Sequence, residues 1–273
     1  MFPQFDILGF KIGAYALVAI VGGIFAGILA FFLLKKHRLM IEDGILLTVI
    51  AAAGVLIGSH LLYAITNMRY IPLLFKKLTP EQLITVLSAI FGGSVFYGGL
   101  FGGLFAAKIG TKLLKLDSNL WFDIFSPIIP LFHGIARVGC FLAGCCYGVE
   151  SEFGFITNSN TFVPGINGVT RFPVQLLETG CNLILAAIML VLLRKRENIR
   201  LKGNLIYIYL ISYGVIRFAD EFLRGDEIRG FVGFLSTSQF ISVISVSICS
   251  VLLIRNISKV NKSKNHADTQ PQV

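Results

Sequence analysis

Apolar residues fill seven long stretches of this chain, and charged residues are concentrated in the segments between them. A helix needs about 20 predominantly apolar residues to cross the hydrocarbon core of a bilayer, and each stretch has or approaches that length. The pattern therefore predicts an all-α fold, a polytopic membrane helix bundle of about seven transmembrane helices. The predicted spans lie near residues 12–34, 44–66, 84–107, 120–141, 174–193, 204–223 and 238–254.

The fourth stretch is the least regular, and it contains the segment around which the chain is organised. Pro127 and Pro130 enter it, and it runs into HGIARVGCFLAGCCYG, residues 133–148, where glycine recurs at five-residue spacing. Proline removes a helix hydrogen bond, and irregular backbone at membrane depth must be buried in protein or line a wet cavity. We therefore predict a broken helix that lines a cavity. The alternative is a glycine-rich helix whose arginine extends to the surface.

The composition supports a membrane protein. Of the 273 residues, 55% are hydrophobic and only 14% are charged, with a mean hydropathy of +0.78, whereas soluble domains have roughly 25% charged residues. The length fits a single transmembrane domain, residues 1–255, followed by a polar tail, residues 256–273, that is expected to be cytoplasmic and disordered. The N-terminus lacks the basic start of a signal peptide, so the first span is expected to be retained.

The distribution of basic residues predicts the orientation. The net charge is +9, but the basic residues cluster in short loops, where they act as topology signals, so no nucleic-acid partner is expected. With the N-terminus outside, the inner loops and tail carry fifteen Lys and Arg residues and the outer loops carry seven. We therefore predict an outer N-terminus, a cytoplasmic C-terminus, and outer positions for loop 146–173 and segment 224–237.

Two arginines, Arg137 and Arg217, lie within predicted spans. An ionisable residue in a span is rare and is by default a functional-site hypothesis. Arg217, Glu221 and Arg224 are spaced i, i+4 and i+7, so they share one helix face and can pair with each other. The planar forks of Arg137 and Arg217 could bind a phosphate bidentately, which is the interpretation we favour. The alternative, above all for Glu221, is a structural ion pair that locks two helices.

Tyrosine and histidine side chains within the spans are candidate acids and bases. Tyr97 stands within the glycine-rich FGGSVFYGGLFGG, and Tyr15 lies in the first span. A tyrosine, with an ordinary pKa of about 10, is a useful base only beside a cation. His60 and His133 are the histidines inside spans, and an unperturbed histidine titrates near pH 7. The alternatives are a packed aromatic with one hydrogen bond for each tyrosine and close helix approach for the glycines.

Five cysteines are an odd number, and Cys140, Cys145 and Cys146 fall in the central motif. A disulfide framework is therefore not expected, although Cys140 could form a thiol–disulfide pair with either of the other two. Structural zinc ligands come in regularly spaced pairs, whereas adjacent cysteines on a helix would point apart. We therefore predict no metal site.

The segment RFPVQLLE opens the fifth span. Pro173 suits the first turn of a helix, and Gln175 and Glu178 would then face inward or toward the headgroup layer. By itself, the segment is better interpreted as a plain helix start.

Taken in order, these motifs resemble the prolipoprotein diacylglyceryl transferase family over nearly all of residues 5–250. That family of bacterial membrane enzymes attaches diacylglycerol to the lipobox cysteine of exported lipoprotein precursors. FYGGLFGG is similar to its histidine-glycine-glycine motif, RFPVQLLE to its proline-x-glutamine-leucine-x-glutamate box, RFADEFLR to its arginine-glutamate-arginine helix, and LSTSQFIS to its glycine-glutamine-leucine-serine box. Residues that match the first-span tyrosine and the central signature are Tyr15, Arg137, Gly139, Phe141, Gly144 and Gly148.

Four positions depart from the family pattern. Tyr97 stands where the family has a histidine, Cys140 where it has an asparagine and Cys145 where it has a glutamate, and His60 lies near a usual arginine. The central motif is therefore richer in thiols and less acidic. Two alternatives stay open on these grounds: a related membrane transferase with a different lipid or acceptor, and a thiol-redox membrane protein that uses Cys140, Cys145 and Cys146.

The resemblance implies a reaction in the bacterial cytoplasmic membrane without metal or organic cofactor. Phosphatidylglycerol enters from the bilayer, arginines hold its phosphate, and the lipobox thiolate of a prolipoprotein signal peptide displaces glycerol phosphate to form a thioether. The base that takes the thiol proton stays open among Tyr97, Tyr15 and His133. Candidate catalytic residues are Arg137, Arg217, Tyr97, Tyr15 and Glu221. Candidate substrate-binding residues are Arg137, Gly139, Cys140, Gly148, Arg224, Gln175, Gly98 and Gly99.

Overall fold

The computed structural model describes residues 4–7, 10–156, 166–197, 201–226 and 230–268. The α-helices in these ranges are α1 (Ala14–Lys36), α2 (Ile41–Thr66), α3 (Pro80–Phe91), α4 (Phe96–Leu113), α5 (Ser118–Ala143), α6 (Val174–Arg194), α7 (Leu205–Asp220) and α8 (Thr237–Asp268). Short 3-10 helices span Met68–Phe75 and Glu221–Leu223. Antiparallel pairs join β1 (Gln4–Ile7) to β2 (Phe10–Gly13), β3 (Glu150–Ile156) to β4 (Thr170–Arg171), and β5 (Phe231–Val232) to β6 (Leu235–Ser236).

Five of the described helices are long and apolar enough to cross a membrane: α1, α2, α5, α6 and the Thr237–Val260 part of α8. The helices α3 and α4 meet the same criteria only together, as one span bent by 74°. With 16 residues, α7 is shorter than the roughly 20 that a span needs. The all-α, multi-pass membrane fold is therefore confirmed. The predicted count of seven is not, because the described residues give five spans, or six with the bent pair.

The third apolar stretch forms two helices instead of the single helix predicted over residues 84–107. α3 begins with a capping box, in which the Gln82 amide donates to the Thr79 hydroxyl at 3.3 Å and the Thr79 amide donates to the Gln82 side chain at 3.0 Å. It ends at Gly92. Glycine in a helix interior costs about 1 kcal/mol relative to alanine, so the adjacent Gly92 and Gly93 are the weak point at which the helix breaks.

The most buried of the candidate spans is α5, as expected of the segment around which the chain is organised. Of an 18-residue apolar stretch of α5, 56% is buried inside the protein, whereas the corresponding share is 11–33% in the other four spans. Pro127 and Pro130 lie inside the helix without ending it, and the helix breaks within the glycine motif, after Ala143. A buried helix tolerates proline where its neighbours satisfy the freed backbone groups. The motif leaves the helix at Gly144, whose φ of +77° favours glycine.

The chain forms two compact units, residues 34–118 and residues 1–33 with 119–273. In the first unit, α2 and α4 approach each other through glycines, as in other small-xxx-small helix pairs. The glycines at this contact are Gly54 and Gly58 on α2 and Gly98 and Gly102 on α4.

Gly98 lies at the tightest part of the contact between α2 and α4. A Cβ at Gly98 would overlap the carbonyl oxygen of Gly58 and lie 2.6 Å from the Cβ of Leu62. A Cβ at Gly99 would lie 3.2 Å from the Cγ1 of Val55. Helix packing therefore explains both of these glycines within their own unit, and their proposed role in substrate binding stays a prediction.

Replacing Gly98 with alanine is expected to lower the stability of the first unit, because the new methyl group meets backbone that cannot move aside. Overpacking of this kind costs roughly 1–3 kcal/mol, which the thermal unfolding midpoint of the detergent-solubilised protein would measure. Gly27→Ala is the matched control, since a Cβ at Gly27 would have no described atom within 4 Å. Equal midpoints for the two variants would contradict the packing role of Gly98.

In the second unit, large aromatic side chains fill the core between helices. Trp121 of α5 and Tyr209 and Tyr213 of α7 are at most 1% exposed, and the two tyrosine rings stack with centroids 6.1 Å apart.

The first helix packs directly on α5, because a Cβ at Gly22 of α1 would lie 3.4 Å from Ile135.

A buried carboxylate near the start of α5 holds the connection between α6 and α7. Asp123 is fully buried and accepts hydrogen bonds from Arg196 Nε at 2.7 Å and from the amides of Gly203 and Leu205 at 2.7 and 3.1 Å. These donors compensate the loss of water around the charge. Arg196, which counts among the basic loop residues that set the orientation, is itself 6% exposed and pairs inside the protein.

The C-terminal helix differs from the prediction of a disordered tail after residue 255. The structure continues α8 to Asp268. Neither glycine nor proline occurs between residues 256 and 268, so no strong helix breaker stops a helix that the apolar part has already formed. The last predicted tail residues, 269–273, lie outside the described residues.

Candidate functional site

A buried carboxylate on α6 joins α5 to α7. Glu178 is 2% exposed, and its Oε2 lies 2.9 Å from the Nε of Arg137 on α5. Its Oε1 lies 3.5 Å from the Nε2 of His133 and accepts a hydrogen bond from the Tyr213 hydroxyl at 3.4 Å. His133 and Arg137 are four residues apart, so α5 presents both on one face. Buried charges need partners, and Glu178 has them on both neighbouring helices.

Polar spacing along α6 explains why Glu178 is buried there. Gln175, Glu178 and Asn182 recur at i, i+3 and i+7, the period of one helix face, and are 0–2% exposed. Asn182 Nδ2 donates to the carbonyl oxygen of Glu178 at 2.9 Å, and Gln175 Nε2 donates to that of Cys145 at 2.9 Å. The segment is therefore a helix start, as predicted, and its first turns also carry a buried polar face.

The second intramembrane arginine, Arg217 of α7, is held in a similar way. Its Nη2 lies 2.5 Å from the Oε2 of Glu221 and donates to the Ser238 hydroxyl at 3.1 Å. Arg217 and Glu221 are both buried and pair as their i, i+4 spacing predicts. The Nη1 of Arg217 has no hydrogen-bond partner among the described residues. Arg217 is thus a fixed cation with an open donor.

Arg224 follows the 3-10 turn after α7. Its Nη1 lies 4.0 Å from Glu221 Oε2, and its Nε and Nη2 donate to the two carboxylate oxygens of Asp226 at 2.9 and 2.5 Å. Burial is the largest single influence and disfavours the charge, but the hydrogen bonds to Asp226 and the negative charge around the guanidinium together raise the pKa of Arg224 above its usual value. Arg224 therefore stays cationic, and Asp226 occupies its Nε and Nη2 donors.

These side chains form one group, which we call the arginine–carboxylate cluster: Arg137, Glu178, Arg217, Glu221 and Arg224. All three arginines lie within electrostatic reach of Glu178. The two arginines that the sequence predicts to act together therefore lie within electrostatic reach of the same carboxylate. Three guanidinium groups and two carboxylates give the cluster one net positive charge, before Asp220 and Asp226 beside it are counted.

The three cysteines of the central motif converge where α5 ends, and we call Cys140, Cys145 and Cys146 the thiol trio. Their sulfur atoms all lie within 4.8 Å of one another, and all three are free thiols. Gly144 and Cys146, with φ of +77° and +55°, turn the chain back toward α5. The expectation that Cys145 and Cys146 point apart on a helix is therefore wrong, because neither lies in the helix.

Backbone hydrogen bonds after the thiol trio join the ends of α5 and α7 to the start of α6. Gly148 pairs with Arg224, the Val149 amide donates to the Leu223 carbonyl at 3.0 Å, and the Phe172 amide donates to the Val149 carbonyl at 2.9 Å. A Cβ at Gly148 would overlap the Phe172 carbonyl oxygen. Glycine is required by this close approach, so Gly148 shapes the site through its backbone.

Tyr15 and Gly139 meet where α1 packs on α5. A Cβ at Gly139 would lie 3.1 Å from the Cα of Tyr15, so the absence of a side chain lets the two helices approach. Tyr15 is half exposed and lies within electrostatic reach of Arg137 and Cys140. The structure thus brings Tyr15, but not as a buried group, to the edge of the arginine–carboxylate cluster.

Tyr97 and His60 lie in the other compact unit. Tyr97 is 3% exposed and stacks on Phe101 with ring centroids 5.9 Å apart. The Nδ1 of His60 lies 2.9 Å from the Phe91 carbonyl oxygen. Within this unit, Tyr97 is a packed aromatic, and its role in proton transfer stays a prediction.

Three buried residues of the site are absent from the sequence candidates: Glu178, Tyr213 and Asp220. Each is at most 4% exposed, and Asp220 lies within electrostatic reach of Glu178. Their spacing could have identified them. Tyr213, Arg217 and Asp220 are spaced i, i+4 and i+7, so they share one face of α7, just as Glu178 belongs to one polar face of α6. Repeated polar residues on one face of an apolar helix therefore mark this site as well as the arginines do.

Comparisons with known proteins connect this arrangement to one family. The model of the prolipoprotein diacylglyceryl transferase family matches residues 4–255. A phosphatidylglycerol–prolipoprotein diacylglyceryl transferase of Clostridium tetani is 33% identical over 262 residues, which cover 94% of this chain and 98% of the relative. Transferase 2 of Clostridium perfringens is 33% identical over 269 residues (95% and 96%), and the Streptococcus uberis enzyme is 28% identical over 252 residues (90% and 91%).

Proposed function

This chain belongs to the prolipoprotein diacylglyceryl transferase family, and from that premise we propose that it transfers the diacylglyceryl group of phosphatidylglycerol to the lipobox cysteine of prolipoproteins. The family that the sequence motifs resemble is thereby confirmed. The observation that carries the proposal is the placement of Arg137 and Arg217 on α5 and α7, both buried and both within electrostatic reach of Glu178. Two fixed cations at membrane depth suit the phosphate of a lipid headgroup.

The reaction makes one bond and breaks one. The thiolate sulfur attacks the glyceryl carbon that carries the phosphate. The bond between this carbon and the phosphate oxygen breaks, its electron pair stays on the oxygen, and glycerol phosphate leaves. A thioether remains on the peptide, and the thiol proton passes to a base. Negative charge grows on the leaving phosphate, so cations that hold it more tightly as the bond breaks lower the barrier.

We assign the phosphate contacts to Arg137 and Arg217. The open Nη1 donor of Arg217 supports this assignment, as does the Nη1 of Arg137, which donates to the Cys140 sulfur at 3.9 Å, because a thiol is a weak acceptor that phosphate oxygen would replace. Glu178 and Glu221 position the two arginines. The remaining substrate-binding proposals are Gly139, Cys140, Gly148, Gln175, Arg224, Gly98 and Gly99. The candidate bases remain Tyr15, Tyr97 and His133.

We propose residues 1–255 as one catalytic domain in the bacterial cytoplasmic membrane. Seven crossings follow if α3 with α4 counts as one span and α7 with the Glu221–Leu223 turn counts as another. The excess of basic residues in alternate loops supports an outer N-terminus and a cytoplasmic C-terminus. In that orientation the arginine–carboxylate cluster lies toward the outer leaflet, where exported precursors arrive.

The decisive experiment reconstitutes the purified chain in phosphatidylglycerol vesicles with a lipobox peptide. The peptide is expected to gain the mass of a diacylglyceryl group, and glycerol phosphate should appear in equal amount. A peptide with serine in place of the lipobox cysteine is the control and should stay unmodified. Equal turnover in vesicles that lack phosphatidylglycerol would show that another lipid is the donor. Absence of product in every vesicle would overturn the proposal.

A further inference from the structure

We propose that the thiol trio, Cys140, Cys145 and Cys146, is a binding site for a soft, thiolate-preferring metal cation such as Cu(I), Zn²⁺ or Cd²⁺. The three sulfur atoms all lie within 4.8 Å of one another. With metal–sulfur bonds of about 2.3 Å, three sulfurs around an ion are about 4 Å apart. Small side-chain rotations would therefore bring the trio to coordination distance.

The donor atoms decide the class of ion. Thiolates select Cu(I), Zn²⁺ and related ions, whereas Mg²⁺ and Ca²⁺ require oxygen ligands. Three sulfurs leave Zn²⁺ or Cd²⁺ one ligand short of a tetrahedron, a position that water fills in open sites. Cu(I) is favoured by the softness of the ligands themselves.

The charge around the trio favours the loaded site. Binding releases thiol protons to solvent, so three thiolates and a divalent ion carry one net negative charge. The Nη1 of Arg137 lies 3.9 Å from the Cys140 sulfur, and Arg224 is within electrostatic reach of Cys146. Cations at such distances stabilise thiolates, so Arg137 and Arg224 offset part of the negative charge of the complex.

The backbone holds the trio in place before an ion arrives. Cys146 has a φ of +55°, a conformation that costs about 1–2 kcal/mol for a residue other than glycine and that clusters at functional sites. The Gln175 side chain fixes the same turn through the Cys145 carbonyl at 2.9 Å. Cys140 is buried, whereas Cys145 and Cys146 are partly exposed, which gives an ion a path to the sulfurs.

Metal retention by the full chain tests the site. The protein is purified in detergent under reducing conditions, stripped with a chelator, loaded with Cd²⁺ and passed through a gel-filtration column. Wild type is expected to keep about one ion per chain and to show thiolate-to-metal charge-transfer absorption. Each of the variants Cys140→Ser, Cys145→Ser and Cys146→Ser should bind Cd²⁺ at least about tenfold more weakly, because loss of a ligand costs more than loss of a supporting contact. Cys181→Ser and Cys249→Ser are matched controls and should keep the ion.

A second measurement uses the wild-type chain alone, so it does not depend on how the variants fold. Bound Cd²⁺ should protect Cys145 and Cys146, but not Cys181, from alkylation mapped by mass spectrometry. Parallel loading with Cu(I) and Zn²⁺ ranks the ions, and retention of any of the three supports the site. The proposal is overturned if wild type retains none of them, or if the control variants lose Cd²⁺ as the trio variants do. Lipid transfer enters neither readout, so failure here leaves the proposed function intact.

Discussion

Arg137→Ala is expected to abolish diacylglyceryl transfer in a protein that still inserts into the membrane. Loss of one preorganised group that stabilises developing charge typically lowers the rate by about 10²–10³. Loss of an arginine that contacts a reacting phosphate group lowers it by about 10³–10⁵ in other enzymes. We therefore expect the rate to fall by at least about 1,000-fold. Arg217→Ala should have a similar effect, because we propose that the two guanidinium groups hold the same phosphate. The measurement is the initial rate of peptide lipidation in phosphatidylglycerol vesicles, normalised to inserted protein.

Loss of fold is the competing explanation for such a result. Arg137→Ala removes the nearest cation from buried Glu178 (2.9 Å), and breaking a buried pair costs roughly 3–5 kcal/mol. Arg196→Ala is the matched control, because Arg196 is also a buried arginine paired with a buried carboxylate, Asp123 of α5, at 2.7 Å. It should lower the unfolding midpoint comparably but keep transfer within about threefold, since it belongs to an independent site. Equal loss of activity in both variants would assign Arg137 a structural role only.

Much of the membrane fold is predictable from the sequence, because the signal comes from long apolar stretches. The start and end of α1, α2, α5 and α6 lie within a few residues of the predicted spans. The prediction fails where the local preferences for continuing and for ending a helix nearly balance. Gly92 and Gly93 break the third stretch, whereas Pro127 and Pro130 leave α5 intact. Packing against the neighbouring helices decides such cases, and this packing cannot be read from the sequence of one segment.

The site is predictable to the extent that charge within a span is rare. Arg137 and Arg217 are visible for that reason, and their proximity to one carboxylate is a tertiary fact. Glu178 is hard to recognise because it stands about one turn from the start of α6, near the helix end at which a carboxylate is ordinary. The thiol trio is missed for another reason. Its geometry depends on the positive φ of Gly144 and Cys146, whereas reasoning from helical spacing assumes that the helix continues.

Glu178→Gln is expected to lower kcat about 100-fold while leaving KM for the lipid unchanged or smaller. Glutamine keeps the shape of the side chain and removes its charge. A simple charge argument predicts a better enzyme, because the arginines would hold an anion with less competition. We expect the opposite for kcat, because Glu178 is a positioning residue that contacts Arg137, His133 and Tyr213 at 2.9, 3.5 and 3.4 Å. An amide cannot accept from all three donors, and misplacement by about 1 Å can cost about 100-fold.

The split between kcat and KM separates positioning from a purely structural role for Glu178. Glu178→Asp keeps the charge on a shorter stem, so it should recover part of kcat if charge orients Arg137. Glu221→Gln is the second comparison, since Glu221 holds Arg217 at 2.5 Å in the same cluster, and it should show the same direction of change. Equal falls in kcat and in the amount of folded protein, with no recovery by aspartate, would mean that Glu178 stabilises the helix contact and does nothing for the phosphate.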